Sequence, residues 1–321
     1  MKSFKSIICL LFCLPLFFLS CSKDNDEKQD APPPVVHEFK YLETVFDDFY
    51  TNNLTPVSIE FKDEQLFIGD NNNIVTIFDA DYTYLGELNN LHGVNIKTNI
   101  VRFKRDGGYF IYNPELKYLR CYSEAGNRET EINGLPDLEN MDVNAINIDR
   151  QTRLFMIYDH RTIHRYNANL SGPVAESENI GSLFEHGEYD FKIMSIATDQ
   201  FNKVYISVDV DDTQDEGYDA VLKFDADLNF ITSVGGDWTF NGPHGIAFDE
   251  ANYMYVVNRF DHVVKIFDTN LELVTMSWEN LDDPGSTGGQ MDQPIGIRIN
   301  DDKVYVTEKN NHCVIVFTTY N

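Results

Sequence analysis

Three sets of residues in this 321-residue chain have the types and spacing for chemistry. His244 stands in Pro243-His244-Gly245-Ile246, and an imidazole can act as base or metal ligand near neutral pH. The run Val208–Asp219 holds five Asp and one Glu within eleven residues, with Gly217 to turn on. Its Asp209, Asp211 and Asp215 are candidate oxygen ligands for Ca2+ or another divalent ion. The spacing departs from the EF-hand loop, and a solvated acidic loop is the alternative. The third set is polar and scattered: Asp70, Asn72, Asn113, Glu115, Asp159, His160 and Arg161, then Asn258, Arg259, Asp261, His262, Asp292, Gln293, Glu308, Asn310 and His312. Amides, carboxylates and imidazoles of this kind hydrogen-bond sugars and peptides, provided a fold gathers them. The sequence has no Gly-x-Ser-x-Gly, His-Glu-x-x-His, glycine-rich phosphate loop or Cys-x-x-Cys, so no local motif assigns a reaction.

The gathering element is a repeat. Short apolar runs centre on Phe67, Phe110, Phe155, Tyr205, Tyr255 and Tyr305, at steps of 43, 45, 50, 50 and 50 residues. A second series closes the following run at Phe78, Tyr122, Tyr166, Phe224, Phe267 and Phe317. Several of these lead into an Asp or Asn, whose side chain favours turns by bonding nearby backbone. A period of 40 to 50 residues built from short β-runs predicts an all-β, six-bladed β-propeller. The blades are expected near 56–91, 94–134, 142–180, 190–236, 242–280 and 293–317. The last unit has three strands, so the extended run 37–45 is expected to supply its fourth and close the ring. In such a ring the loop entering each innermost strand and the loop between strands two and three open on one face. That face would carry the third set of residues and His244 together.

The two C-terminal units resemble NHL repeats. Pro243-His244-Gly245-Ile246-Ala247-Phe248-Asp249 and Pro294-Ile295-Gly296-Ile297 fit the Pro-x-Gly opening, and Asp261-His262 and Asn311-His312 fit the turn. Val263 and Cys313 stand where that family has Arg. The resemblance covers about the last 80 residues, and NHL repeats usually form six-bladed propellers. Pro-His-Gly-Ile also resembles the segment of streptogramin-lyase-type propellers in which a channel-facing His is a base beside a divalent metal. Gluconolactonase-type propellers carry an Asp ligand there, with a Glu where this chain has Thr55-Pro56. The turn consensus gives His262 and His312 a structural role.

Residues 1–20 carry Lys2 and Lys5, then an apolar run from Ile7 to Leu19, too short for a mature transmembrane helix. Ser20-Cys21 after that run resembles a bacterial lipobox. The resemblance implies cleavage before Cys21 and lipidation of it, with several acyl chains anchoring the protein. Residues 21–36 form a charged, proline-ended tether that cannot bury enough surface to fold. Acidic residues beside the anchor resemble the export signal of surface lipoproteins in Bacteroidetes-type bacteria. The expectation is an outer-membrane lipoprotein, exposed at the surface or facing the periplasm, touching membrane only through its lipid.

The propeller is assigned 37–321. Without the leader the chain has 23 basic and 52 acidic residues, a field that repels nucleic acid and anionic headgroups. Cys9 and Cys13 leave with the leader. Cys121 and Cys313 fall in units that are not neighbours, and two buried free thiols are expected. The reading is a non-enzymatic envelope lipoprotein whose propeller face binds a glycan, peptide or protein, without cofactor. A metal-assisted lyase or lactonase acting through His244 is the alternative.

Overall fold

The computed structural model describes residues 38–46, 55–88, 90–91, 94–95, 98, 100–113, 116–133, 135, 146–158, 161–183, 190–211, 218–236, 239–277, 285 and 288–320. The leader, Cys21 and the tether lie outside these residues. Six four-stranded antiparallel sheets form the blades, within the unit Val36–Asn321. Their inner strands are Pro56–Lys62, Ile100–Phe103, Ile146–Ile148, Asp190–Thr198, Pro243–Phe248 and Pro294–Asn300. Each packs on the inner strand of the next blade, and the last packs on the first, so the ring is closed.

The marker aromatics explain the strands. Phe67, Phe110, Phe155, Tyr205, Tyr255 and Tyr305 all lie in second strands and are at most 5% exposed. They pack between sheets. Tyr255 and Phe317 belong to one cluster that joins blades 5 and 6, and Phe78 and Tyr305 to another that joins blades 1 and 6. Burying a side chain of this size stabilises by about 1.5–3 kcal/mol, so a long-period aromatic pattern is enough to set the blades.

The turns repeat as well. At Asp79, Asp149, Asp199, Asp225 and Asp268, one carboxylate oxygen accepts the backbone N–H groups two and four residues on, at 2.8–3.0 Å. The residue three positions on takes a left-handed φ, at Tyr82, Thr152, Asn202, Leu228 and Leu271. The Asp side chain thus supplies the turn that glycine would otherwise provide.

The N-terminal strand Glu38–Val45 pairs antiparallel with Val314–Tyr320, from Glu38↔Tyr320 to Val45↔Val314, and completes the sixth blade. Phe39 stacks on Phe317 with centroids 4.4 Å apart, and Phe46 meets Phe78 of blade 1 at 4.2 Å. The closing strand is therefore fixed by its ladder and by aromatic packing on both sides of the seam.

Two details differ from the sequence expectation. Blade 1 ends at Glu87, and Asn90–Leu91 pairs with Val94–Asn95 as a small separate hairpin before the inner strand of blade 2. In blade 4 the second strand, Val204–Asp211, runs on into the acidic segment. Val208 and Val210 are buried while Asp209 between them is half-exposed, so the period-two alternation of a strand continues there. Asp209 pairs with Lys192 and Asp211 with Asp190 in the ladder. Cys121 and Cys313 are free and buried.

Candidate functional site

The rim where the chain enters each inner strand gathers most of the third set of residues. Among the described residues, the last residue of the second strand is buried and polar in four blades: Asp70, Asn113, Asn258 and Glu308, each at most 2% exposed. Each holds backbone N–H groups. Asp70 Oδ1 accepts from Asn72 and Ile74, Asn113 Oδ1 from Leu116, Asn258 Oδ1 from Asn241 and Glu308 Oε2 from Asp292. Burial pushes the Asp70 carboxyl up, against the lowering effect of those bonds. Burial pushes Glu308 up to about 8, so its carboxyl is largely neutral at pH 7 and stands in for the amide of Asn258.

The next layer ties blade to blade. His262 and His312 take left-handed φ values of 60° and 54°, a region where His is enriched. His262 Nδ1 accepts the N–H of Gln293 in blade 6 at 3.1 Å, and His312 Nδ1 lies 3.2 Å from Thr55 Oγ1 of blade 1. The two histidines repeat one cross-blade link, as the turn resemblance implies. Arg259 Nη2 donates to Gln293 Oε1 at 2.8 Å, and Lys309 N to the Gln293 carbonyl at 3.2 Å. Gln293 itself sits at φ 54°, where blade 5 has Gly242. It is thus a non-glycine residue held in a strained conformation by neighbours on both sides. Asp261 accepts from Asn241, Asn258 and Lys265, and Asn310 Nδ2 donates to Asp292 at 3.0 Å.

The remaining predicted residues divide plainly. His244 is fully buried, and its carbonyl accepts Ser207 Oγ at 2.6 Å. Asn72, Asn310 and Arg161 are exposed, Arg161 over the Phe191 ring. Asp159, His160, Glu115 and Asp215 lie outside the described residues. Asp219, at the end of the acidic segment, braces backbone through Val210 N and Gly242 N. Among the described residues, no group of three His, Cys, Asp or Glu could hold a metal ion. One rim residue escaped the sequence reading: Phe260, 44% exposed, with the Arg259 guanidinium 5.1 Å from its centroid. The signal was there, an aromatic inside the Arg259-Phe260-Asp261 turn instead of in a strand.

The opposite mouth of the channel holds a cavity of about 770 Å³ lined from all six blades. Its floor is one layer of the inner strands: Glu60, Arg102, Asn147, Ala197, Ala247 and Arg298. Each of these stands directly opposite the marker aromatic of its own blade, as in Glu60↔Phe67, Arg102↔Phe110 and Arg298↔Tyr305. Blades 6, 1 and 2 thus contribute long charged side chains, blade 3 the shorter Asn147, and blades 4 and 5 small alanines. Arg102 is 3% exposed. It donates through Nε to the Ile146 carbonyl and through Nη1 to that of Val101, both at 2.9 Å. Glu60 Oε2 lies between the two guanidiniums, 3.5 Å from Arg102 Nη1 and 3.6 Å from Arg298 Nε. Burial, and after it the nearby Arg298, lower Arg102 to about 9, and Glu60 opposes both. Nothing in the local sequence marks this group, because its members come from three blades.

The NHL repeat family profile matches residues 291–317. No curated protein matches the chain. Among solved structures, a protein of unknown function from Bacteroides thetaiotaomicron aligns with a TM-score of 0.61 at 12% identity, covering 83% of this chain and 70% of its own. An auxiliary nutrient binding protein from the same organism gives 0.56 at 12% identity, covering 83% and 69%. Virginiamycin B lyase from Staphylococcus aureus gives 0.55 at 11% identity, covering 88% and 99%. At these identities the likeness is one of fold. The chain is a six-bladed β-propeller that carries an NHL repeat in its last blade.

Proposed function

We propose that this chain is a lipid-anchored envelope protein whose propeller rim binds a glycan, a peptide or an envelope protein without transforming it. The observation that carries this reading is the patch around Gln293. An exposed aromatic, Phe260, stands beside a guanidinium and a strained amide that are fixed by bonds from two blades. A rigid patch with one aromatic and a few placed polar groups suits recognition, since little ordering entropy is lost on binding. The nutrient-binding neighbour and the acidic, lipobox-like N-terminus support the envelope setting. The test is a glycan array and an envelope pull-down with the full chain. Phe260→Ala removes an exposed ring, leaves the core intact and should weaken the bound partner about tenfold. A wild-type chain that captures nothing in either assay would refute the reading.

His244 favours a second reading, metal-assisted lyase or lactonase chemistry, since it heads the inner strand of blade 5. Elemental analysis of protein purified without chelator decides first. One equivalent of a divalent ion, lost in His244→Ala, would favour catalysis, whereas metal-free, stable protein would count against it.

A further inference from the structure

The cavity opposite the rim has a charge balance that the binding reading does not use. Two guanidiniums, Arg102 and Arg298, meet one carboxylate, Glu60, and both contacts are longer than a good charge-assisted bond. Arg102 is almost wholly buried, and a buried charge without a full counter-charge is costly. Of the acids in the surrounding turns, Asp149 is paired with a cation, whereas Glu124, Asp199 and Asp249 keep their negative charge at the cavity wall. Asp149 accepts from Arg153, while Asp199 and Asp249 accept the hydroxyls of Tyr205 and Tyr255. Lys62 and Lys104 add positive charge at the outer edge, offset by Asp63, Asp106 and Glu129. So the excess of positive charge is confined to the floor layer of Arg102, Arg298 and Glu60, with Arg105 and Arg150 set against Glu124, Asp199 and Asp249 on the wall around it, in a protein with 25 basic and 52 acidic residues. The field is focused where low-dielectric walls surround it.

We propose that this mouth is a second binding site, distinct from the rim, for a small solute bearing a carboxylate or phosphate group. The anionic group would lie against Arg102 and Arg298, whose planar forks match such oxyanions. The body of the solute would occupy the space left by Ala197 and Ala247. A cavity of about 770 Å³ is within the range that encloses small ligands, which favours a free solute over a macromolecule.

The experiment is calorimetric titration and thermal melting of the full chain with three probes: glucuronate, inorganic phosphate and neutral glucose. Saturable binding of glucuronate, phosphate or both, and none of glucose, is expected; which anion binds identifies the carboxylate or the phosphate source. Arg298→Gln alters the more exposed of the two arginines and should weaken the bound anion at least about tenfold. Glu60→Gln leaves both arginines and removes the carboxylate that lies between them. It should tighten the anion about tenfold, and the anion should restore the melting temperature that this variant loses. A merely structural ion group would show destabilisation without that rescue. Absence of heat and of any thermal shift with both anions in the wild type would overturn the proposal. So would an affinity unchanged in both variants.

Discussion

At the rim, the polar side chains of one blade bond the backbone or side chains of the next; at the opposite mouth, two arginines crowd one carboxylate beside open space. His262 and His312 each meet one well-placed partner across a blade boundary. Glu60 stands 3.5 and 3.6 Å from two partners and forms a close bond with neither. The rim is therefore a densely bonded lattice, with Arg259 Nε and Glu308 Oε1 left over, and the far mouth is a site whose electrostatics are incomplete. Short, well-placed links at the rim, with Lys265 set against Asp261, fix loops at low cost. Excess charge at the far mouth costs stability and is the kind of feature that a ligand completes.

The largest effect should come from the seam on which both ends depend. Removing residues 38–45 strips the ladder from Val314–Tyr320 and exposes Phe317. It opens an unpaired edge at the junction of the first and last blades. The shortened chain should fail to give soluble folded protein, and an unchanged melting temperature would show that ring closure does not need this strand. Next in size is Glu60→Gln, which leaves Arg102 and Arg298 facing each other. Loss of about 3 kcal/mol is expected in urea unfolding, partly recovered by high salt. A variant as stable as wild type would mean that the two guanidiniums are already compensated by water.

How far this comparison could be read from the sequence depends on which end is meant. The rim was legible because its residues sit in turns with a local signature: Pro243 and Pro294 open strands, and Asp261-His262 and Asn311-His312 close others. What the turns did not reveal is burial. His244, Asn258 and Glu308 look like rim groups in the sequence but are fully buried, because each follows or precedes a strand end that the next loop covers. The far mouth had no local signature, yet the frame of aromatics contained it. Glu60, Arg102 and Arg298 are charged residues inside apolar inner strands, each directly across from its marker aromatic. Aligning the inner strands on that frame would have put them in one layer. The acidic segment misled for a related reason: its charges hid the valine alternation that extends the strand through Asp211.

A smaller effect should separate two blades of the rim. Blade 5 braces its entering loop with Asn258 and blade 6 with Glu308. Burial raises the Glu308 carboxyl from its ordinary 4.5 to about 8, chiefly by desolvation and against the bonds from Asp292 N and Asn311. The folded state therefore holds a proton that the unfolded state releases. This contribution is complete below about pH 4.5, declines as pH rises, and is lost once pH passes about 8. Glu308→Gln keeps an acceptor for Asp292 N without titrating. The difference in unfolding free energy between variant and wild type should grow in the variant's favour from pH 5 to pH 8, by a few kcal/mol at most. A difference that stays flat across this range would show that Glu308 is ionised in the folded protein.

The smallest expected effect isolates the cross-blade histidine link. His262 does two things at once: it occupies a left-handed position, and its Nδ1 accepts the N–H of Gln293. Asparagine tolerates the same backbone region but is shorter. His262→Asn therefore removes the bond while sparing the turn, and it should cost about 1 kcal/mol. His262→Ala loses the bond and the left-handed tolerance together, so it should cost more. The same pair of variants at His312 should behave alike, because Thr55 takes the place of Gln293 as the partner in the next blade. Chemical denaturation of the four variants measures this directly. If Asn and Ala were equally harmless at both sites, the histidines would be turn formers only. The rigidity ascribed to the rim around Gln293 would then rest on Arg259 and Lys309.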